Sequence, residues 1–142
     1  MLNESQVVVF ELAKVKYGID IVQVQEIIRM VEITPVSESD LTVEGIINLR
    51  GQVISVINLA RRLNVTEKPR DNESRVIVVN SNDKKIGLVV DCVHEVGTYK
   101  DDELEEPSVI GTSQIIKGIV KKEKQLWLIL NINDLGIYHK SK

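Results

Sequence analysis

This chain carries one plan twice, and any fold it adopts must accommodate both copies. Residues 7–27, VVVFELAKVKYGIDIVQVQEI, lie without gaps on residues 76–96, VIVVNSNDKKIGLVVDCVHEV, at an offset of 69. Val7, Val9, Lys16, Gly18, Val24 and Glu26 match Val76, Val78, Lys85, Gly87, Val93 and Glu95. A second pair of segments, residues 45–59 and 118–132, aligns at an offset of 73, with Gly45, Ile46, Gln52 and Asn58 on Gly118, Ile119, Gln125 and Asn131. Repetition at a fixed spacing means recurring structural units. The order is an apolar strand, a polar turn, a second strand, a variable link and a final hairpin, recurring in units of about 70 residues.

The residues themselves make those units β. Val and Ile supply 39 of the 142 positions and Ala only 2, and β-branched side chains favour a pleated surface whereas Ala favours helix. Alternation and turn residues place strands near 6–12, 16–22, 44–49, 52–57, 75–80, 85–91, 116–121 and 124–130. The expectation is an all-β fold of two related subdomains, each with four or five strands. QVQEIIRMV is ambiguous: Val24, Ile27, Ile28 and Val31 fall at helical spacing with Asp20 available as a cap, yet an irregular strand fits as well. NLARRLN and NINDLGI each suggest one or two helical turns begun by an asparagine, with Gly136 near the end of the second.

The polar link TEKPRDNES, residues 66–74, suits an exposed connection. Units this small are marginal alone, so the two are expected to share apolar surface as one domain over residues 4–139, its two subdomains intertwined. KDDELEEP, residues 100–107, reads as a solvated loop, because no glycine-punctuated calcium-loop spacing accompanies its charges.

Little in the chain points to catalysis. His94 occupies a repeat position held by Gln25 in the other copy, and His139 sits in the polar tail YHKSK. The eight glycines form no phosphate-cradling pattern, and no histidine pair or cysteine cluster has zinc-ligand spacing. Neither a catalytic residue, a cofactor nor a metal is expected. Cys92, the lone cysteine, reads as a small buried hydrophobe, and one cysteine permits no intramolecular disulfide, in keeping with a reducing cytoplasm. No basic leader or apolar run of spanning length appears, so the chain is expected to be soluble and unprocessed.

A net charge of −3 provides no one-signed field for a polyanion or membrane surface. An oligonucleotide-binding barrel is the alternative, supported by Arg61, Arg62, Lys121, Lys122 and Lys124. Stacking needs exposed rings, however, and Phe10 and Trp127 sit in core-like strand patterns among only five aromatics.

A duplicated fold also supplies an internal control. In the first hairpin GIINLRGQVISVINL, NLRG is replaced by KKEK in the second copy, opposing Arg50 to Glu123. The corner therefore folds with either charge. Gly51 suits the positive φ of a tight hairpin. A guanidinium with five fixed donors suits a protein interface, so Arg50 is either a solvated turn residue or an interaction residue.

YGIDIVQVQEI, ITPV, VEGIINLRGQVISVINL, IGLVVDCVHEV and IIKGIV, in that order across nearly the whole chain, resemble the CheW family of chemotaxis coupling proteins. Ser37 and Ser55 stand where many members have proline, and Asn58 where many have aspartate. The resemblance implies two five-stranded, SH3-like β-barrels around a hydrophobic core, without catalytic activity, bridging chemoreceptors to the histidine kinase CheA. It further implies that a receptor's helical hairpin tip lies in the groove between barrels and that one end of the first barrel meets the regulatory domain of CheA. Matching motif to motif places Val24, Glu26, Gly45 and Arg50 at partner surfaces, although Val93 and Glu95 in the other copy also allow Val24 and Glu26 a scaffold role. With neither a receiver nor a kinase region in the sequence, a stand-alone adaptor is expected, cytoplasmic and recruited to membrane-associated receptor arrays. A scaffold of another chemosensory pathway, for surface motility or development, would share these features.

Overall fold

The computed structural model describes residues 3–37, 40–106 and 115–135. The first half supplies β1 (Glu4–Leu12), β2 (Val15–Asp20), β3 (Val24–Arg29), β4 (Thr34–Pro35), β5 (Val43–Leu49), β6 (Gln52–Asn58) and one short helix, α1 (Leu59–Leu63). The second supplies β7 (Arg75–Ser81), β8 (Lys84–Val90), β9 (Cys92–Lys100), β10 (Leu104–Glu105), β11 (Ile116–Lys122) and β12 (Gln125–Leu130). These strands form two six-stranded sheets, ordered β10-β11-β12-β2-β1-β9 and β3-β7-β8-β6-β5-β4. Replacing each strand by its repeat counterpart converts one order into the other. Each sheet has a two-residue strand at one edge.

Both sheets mix the two halves. The N-terminal hairpin β1–β2 leaves its own repeat to pair antiparallel with β9 and parallel with β12, while β7 and β8 pair with β3 and β6 of the first half. The all-β, duplicated architecture expected from the sequence is therefore present, in an intertwined form.

The exchange explains why β1 and β7 are apolar on both faces. Successive side chains on a strand point to opposite sides. Val7 and Val9 join Tyr99, Val120, Trp127 and Ile129 in a core of the first sheet, and Val76 and Val78 join Ile47, Ile54, Val56 and Val89 in that of the second. Val8, Phe10 and Leu12 turn the other way, as do Ile77 and Val79, into a larger central cluster between the sheets with Ile19, Ile57, Leu88, Leu130 and Ile132. Burying one such side chain stabilises by roughly 1.5–3 kcal/mol.

Turn geometry repeats with the sequence. Ala13 and Lys14 have φ of 53° and 66°, and their counterparts Asn82 and Asp83 have 51° and 67°. Asn58 caps α1, its Oδ1 accepting from the Arg61 N–H at 3.0 Å, and its amide donates to Glu44 at 2.9 Å and Glu67 at 3.2 Å. Asn64, in the left-handed region at φ 62°, ends the helix.

Several expectations need correction. Of the two forms left open for QVQEIIRMV, the irregular strand is the one present: a 3-10 turn over Ile21–Gln23, without the side-chain cap from Asp20, leads into the bulged β3, which β7 recruits as an edge strand. Asn131 opens the second turn without a side-chain cap and instead donates to Asp134 at 3.0 Å, while Gly136 lies outside the described residues. KDDELEEP is not simply a loop, since Asp101–Glu103 form a 3-10 turn, Leu104 and Glu105 pair with β11, and Glu103 meets Lys122 at 3.1 Å. Pro107 lies outside the described residues. Cys92 is only partly buried, because β9 is an edge strand.

Candidate functional site

The turn between β5 and β6 is built by Arg50 at φ 52° and Gly51 at φ 85°, the paired positive values of a tight hairpin. The Gly51 N–H donates to Asn48 Oδ1 at 2.9 Å and ties the corner. From there the Arg50 guanidinium reaches Glu26 in a two-pronged ion pair, Nη1 donating to Oε1 at 3.2 Å and Nη2 to Oε2. In a flat sheet β3 and β6 would stand about 14 Å apart. The curl of the sheet brings the residues together.

The pair remains open to solvent, with 70% of the Arg50 side chain exposed. Hydrogen bonding from Arg50 holds the Glu26 carboxyl below its usual range, against an opposing effect of desolvation and with added help from Arg50 and Lys85 charge. Lys85 itself donates to Gln52 at 3.0 Å. At the corresponding places the second copy has Glu95 and Glu123, two exposed acids. The end of one sheet carries a mixed, hydrogen-bonded charge pattern that the other end lacks.

Of the four residues singled out by sequence, Arg50 and Glu26 meet on the surface. Val24 is half-buried and packs against the central cluster. Gly45 is buried where the ladder between β5 and β6 slips by one residue, and a Cβ there would overlap the Thr34 carbonyl of β4. Gly118 sits at the same irregularity beside Leu104 and Glu105 of β10. This close approach accounts for glycine in both copies.

Two surface features escaped sequence reasoning. Ile27 pairs with Ile77 and Val96 with Val8. Cross-strand partners share a sheet face, so the exposed Ile27 and Val96 stand on the sides that carry the central cluster, at its rim. Val53 and Leu126, 66% and 53% exposed, likewise occupy equivalent strand starts. The offsets of 69 and 73 already match each apolar pair, which was the available signal.

Phe10, Tyr17, Tyr99 and Trp127 are all buried, so no stacking platform for nucleic acid exists among the described residues. No helix among them is long and apolar enough to cross a membrane.

Known proteins share this arrangement. A family model described as CheW-like domain matches residues 6–136. The chemotaxis protein CheW of Thermotoga maritima is 33% identical over 135 residues, covering 94% of this chain and 89% of that protein. CheW of Bacillus subtilis is 34% identical over 132 residues, covering 91% and 85%. The crystal structure of the scaffolding protein TtCheW from Thermoanaerobacter tengcongensis superposes with a TM-score of 0.89 at 34% identity, over 99% of this chain and 92% of that one. The duplicated sheets and the nearly full-length match lead to one conclusion: this chain belongs to the CheW family of chemotaxis scaffold proteins.

Proposed function

We propose that the protein is a noncatalytic adaptor that couples chemoreceptors to the histidine kinase CheA, working as a single domain over residues 4–139 at membrane-associated receptor arrays. The observation that carries this reading is the seam between the sheets. Edge strands β3 and β9 present Val24 and Ile27, and Val93 and Val96, beside the central cluster. Half-exposed aliphatic side chains at the rim of that cluster suit the apolar face of an amphipathic helix, the form that a receptor's hairpin tip would offer. Gly45 would act indirectly, by letting β4 lie close on β5 at the other edge of its sheet.

Arg50 and Glu26 would contribute the polar part of a partner surface. Their forked hydrogen bonds orient the guanidinium while leaving it accessible, ready to meet a further carboxylate or carbonyl. Coupling of this kind needs contacts that differ between receptor states, because a ligand shifts an equilibrium only by its differential affinity.

The test is autophosphorylation of the cognate CheA with its receptor's signalling fragment, over a concentration series of this protein. Kinase activity that becomes receptor-dependent supports the assignment. Indifference of the kinase to a folded, partner-binding protein removes it and points to a scaffold in another chemosensory pathway.

A further inference from the structure

Away from the seam, the outer corner of β1 and β9 brings together three residues of metal-ligand chemistry that the adaptor role does not use. Glu11 pairs directly with Cys92 across the ladder, and His94 lies two residues further along β9. The ladder slips between Val9 and Phe10, leaving His94 as the extra, bulged residue. Such a bulge re-aims a side chain. His94 Nε2 thereby comes within 2.8 Å of Glu11 Oε1 and 3.7 Å of Cys92 Sγ, with 4.0 Å between Cys92 Sγ and Glu11 Oε1. One donor atom from each residue lies within 4.8 Å of the others.

Ordinary zinc bond lengths and a tetrahedral angle require donor separations of about 3.6 Å from sulfur to nitrogen or oxygen, and about 3.3 Å from nitrogen to oxygen. Each separation here is within about half an ångström of its requirement. Replacing the Glu11–His94 hydrogen bond by a shared cation would open the shortest of them.

The duplication again provides a control. Glu11, Cys92 and His94 correspond to Asn80, Gln23 and Gln25, but Gln23 lies in the 3-10 turn before β3 and does not pair with Asn80. Gln25 occupies the equivalent bulge before Glu26, so the bulge itself does not demand an imidazole. A solvent-open hollow of about 230 Å³ lined by Glu73, Arg75, Cys92, Val93 and His94 gives access.

We propose that Glu11, Cys92 and His94 form a three-residue site for a borderline transition-metal cation, with Zn2+ as the ion the donor set fits and solvent at the fourth position. Hard cations such as Mg2+ and Ca2+ prefer all-oxygen ligands, which this set does not offer. Occupancy would clip the edge strand β9 to β1.

The experiment is a Zn2+ titration of the tag-free, reduced full chain by calorimetry, repeated with Co2+ followed by absorption. Expected are one Zn2+ per chain and a thiolate-to-cobalt charge-transfer band that disappears in Cys92→Ser. Cys92→Ser and His94→Gln should each weaken Zn2+ binding at least tenfold, while His139→Gln, removing the chain's other histidine, leaves it unchanged. Zn2+ should also raise the melting temperature of the native chain but not of Cys92→Ser, with circular dichroism confirming that each variant is folded. Absence of saturable one-to-one binding, binding indifferent to the Cys92 and His94 substitutions, or binding lost in His139→Gln would overturn the site.

Discussion

Arg50 and Glu123 hold equivalent corners of the two hairpins at nearly the same φ, 52° and 54°. The backbone accepts either charge in a left-handed conformation, so that conformation does not depend on arginine. What Arg50 adds is its contact with Glu26.

Arg50→Glu should therefore leave the fold intact while weakening receptor control of the kinase. Near-native circular dichroism together with lost coupling in the CheA assay is the expected pair of results. An unfolded variant, or a folded one with full coupling, would remove Arg50 from the partner surface.

The Glu26 carboxyl should titrate below an ordinary glutamate and return toward the ordinary range in Arg50→Gln. Its pKa is lowered in the folded state, so the pair's contribution is present above the unfolded value, near 4.3, and is lost as pH falls through the folded one. Exposure keeps the effect on stability small. Carboxyl chemical shifts followed by NMR in both proteins measure it, and an unchanged titration in Arg50→Gln would contradict the contact.

Gly45→Ala should destabilise by about 1–3 kcal/mol, because the new methyl would overlap the Thr34 carbonyl and force β4 away. Urea unfolding provides the check. A native midpoint would show that β4 yields freely, and that glycine is not required there for packing.

Asn58→Asp introduces the residue many family members carry, but here its amide donates to Glu44 and Glu67. A carboxylate would confront two others in a buried position, at a cost of about 1–3 kcal/mol near neutrality. Burial and like charge would raise its folded pKa above the unfolded value of about 3.9, so the deficit should grow as pH rises from there and shrink on acidification. Equal stability of both proteins at pH 4 and pH 7 would refute this.

Lys14→Gly should stabilise by about 0.5–1 kcal/mol. Lys14 sits at φ 66°, where a side chain carries a steric cost that glycine avoids, partly offset by glycine's freedom in the unfolded chain. Thermal unfolding of the variant would reveal the gain, and a lower melting temperature would count against it.

The sequence by itself determined β1, β2, β5, β6, β7, β8, β11 and β12, the duplication and the Asn58 cap, because alternation, turn residues and capping act between neighbours only a few residues apart, but it left β3 open and did not place β4, β9 or β10. It also identified Arg50 as surplus to the scaffold, by comparing one copy with the other. Tertiary structure decided what meets what. Backbone ladders are chemically alike, so only packing selects β9 and β12 as partners for the N-terminal hairpin, and only that crossing makes β1 and β7 two-faced. QVQEIIRMV became a strand because β7 offered it an edge, overriding its helical spacing. The meeting of Glu26 with Arg50, and of Glu11 with Cys92 and His94, required sheet curl and a bulge respectively, and no local pattern of side chains encodes the distance between residues so far apart in the chain.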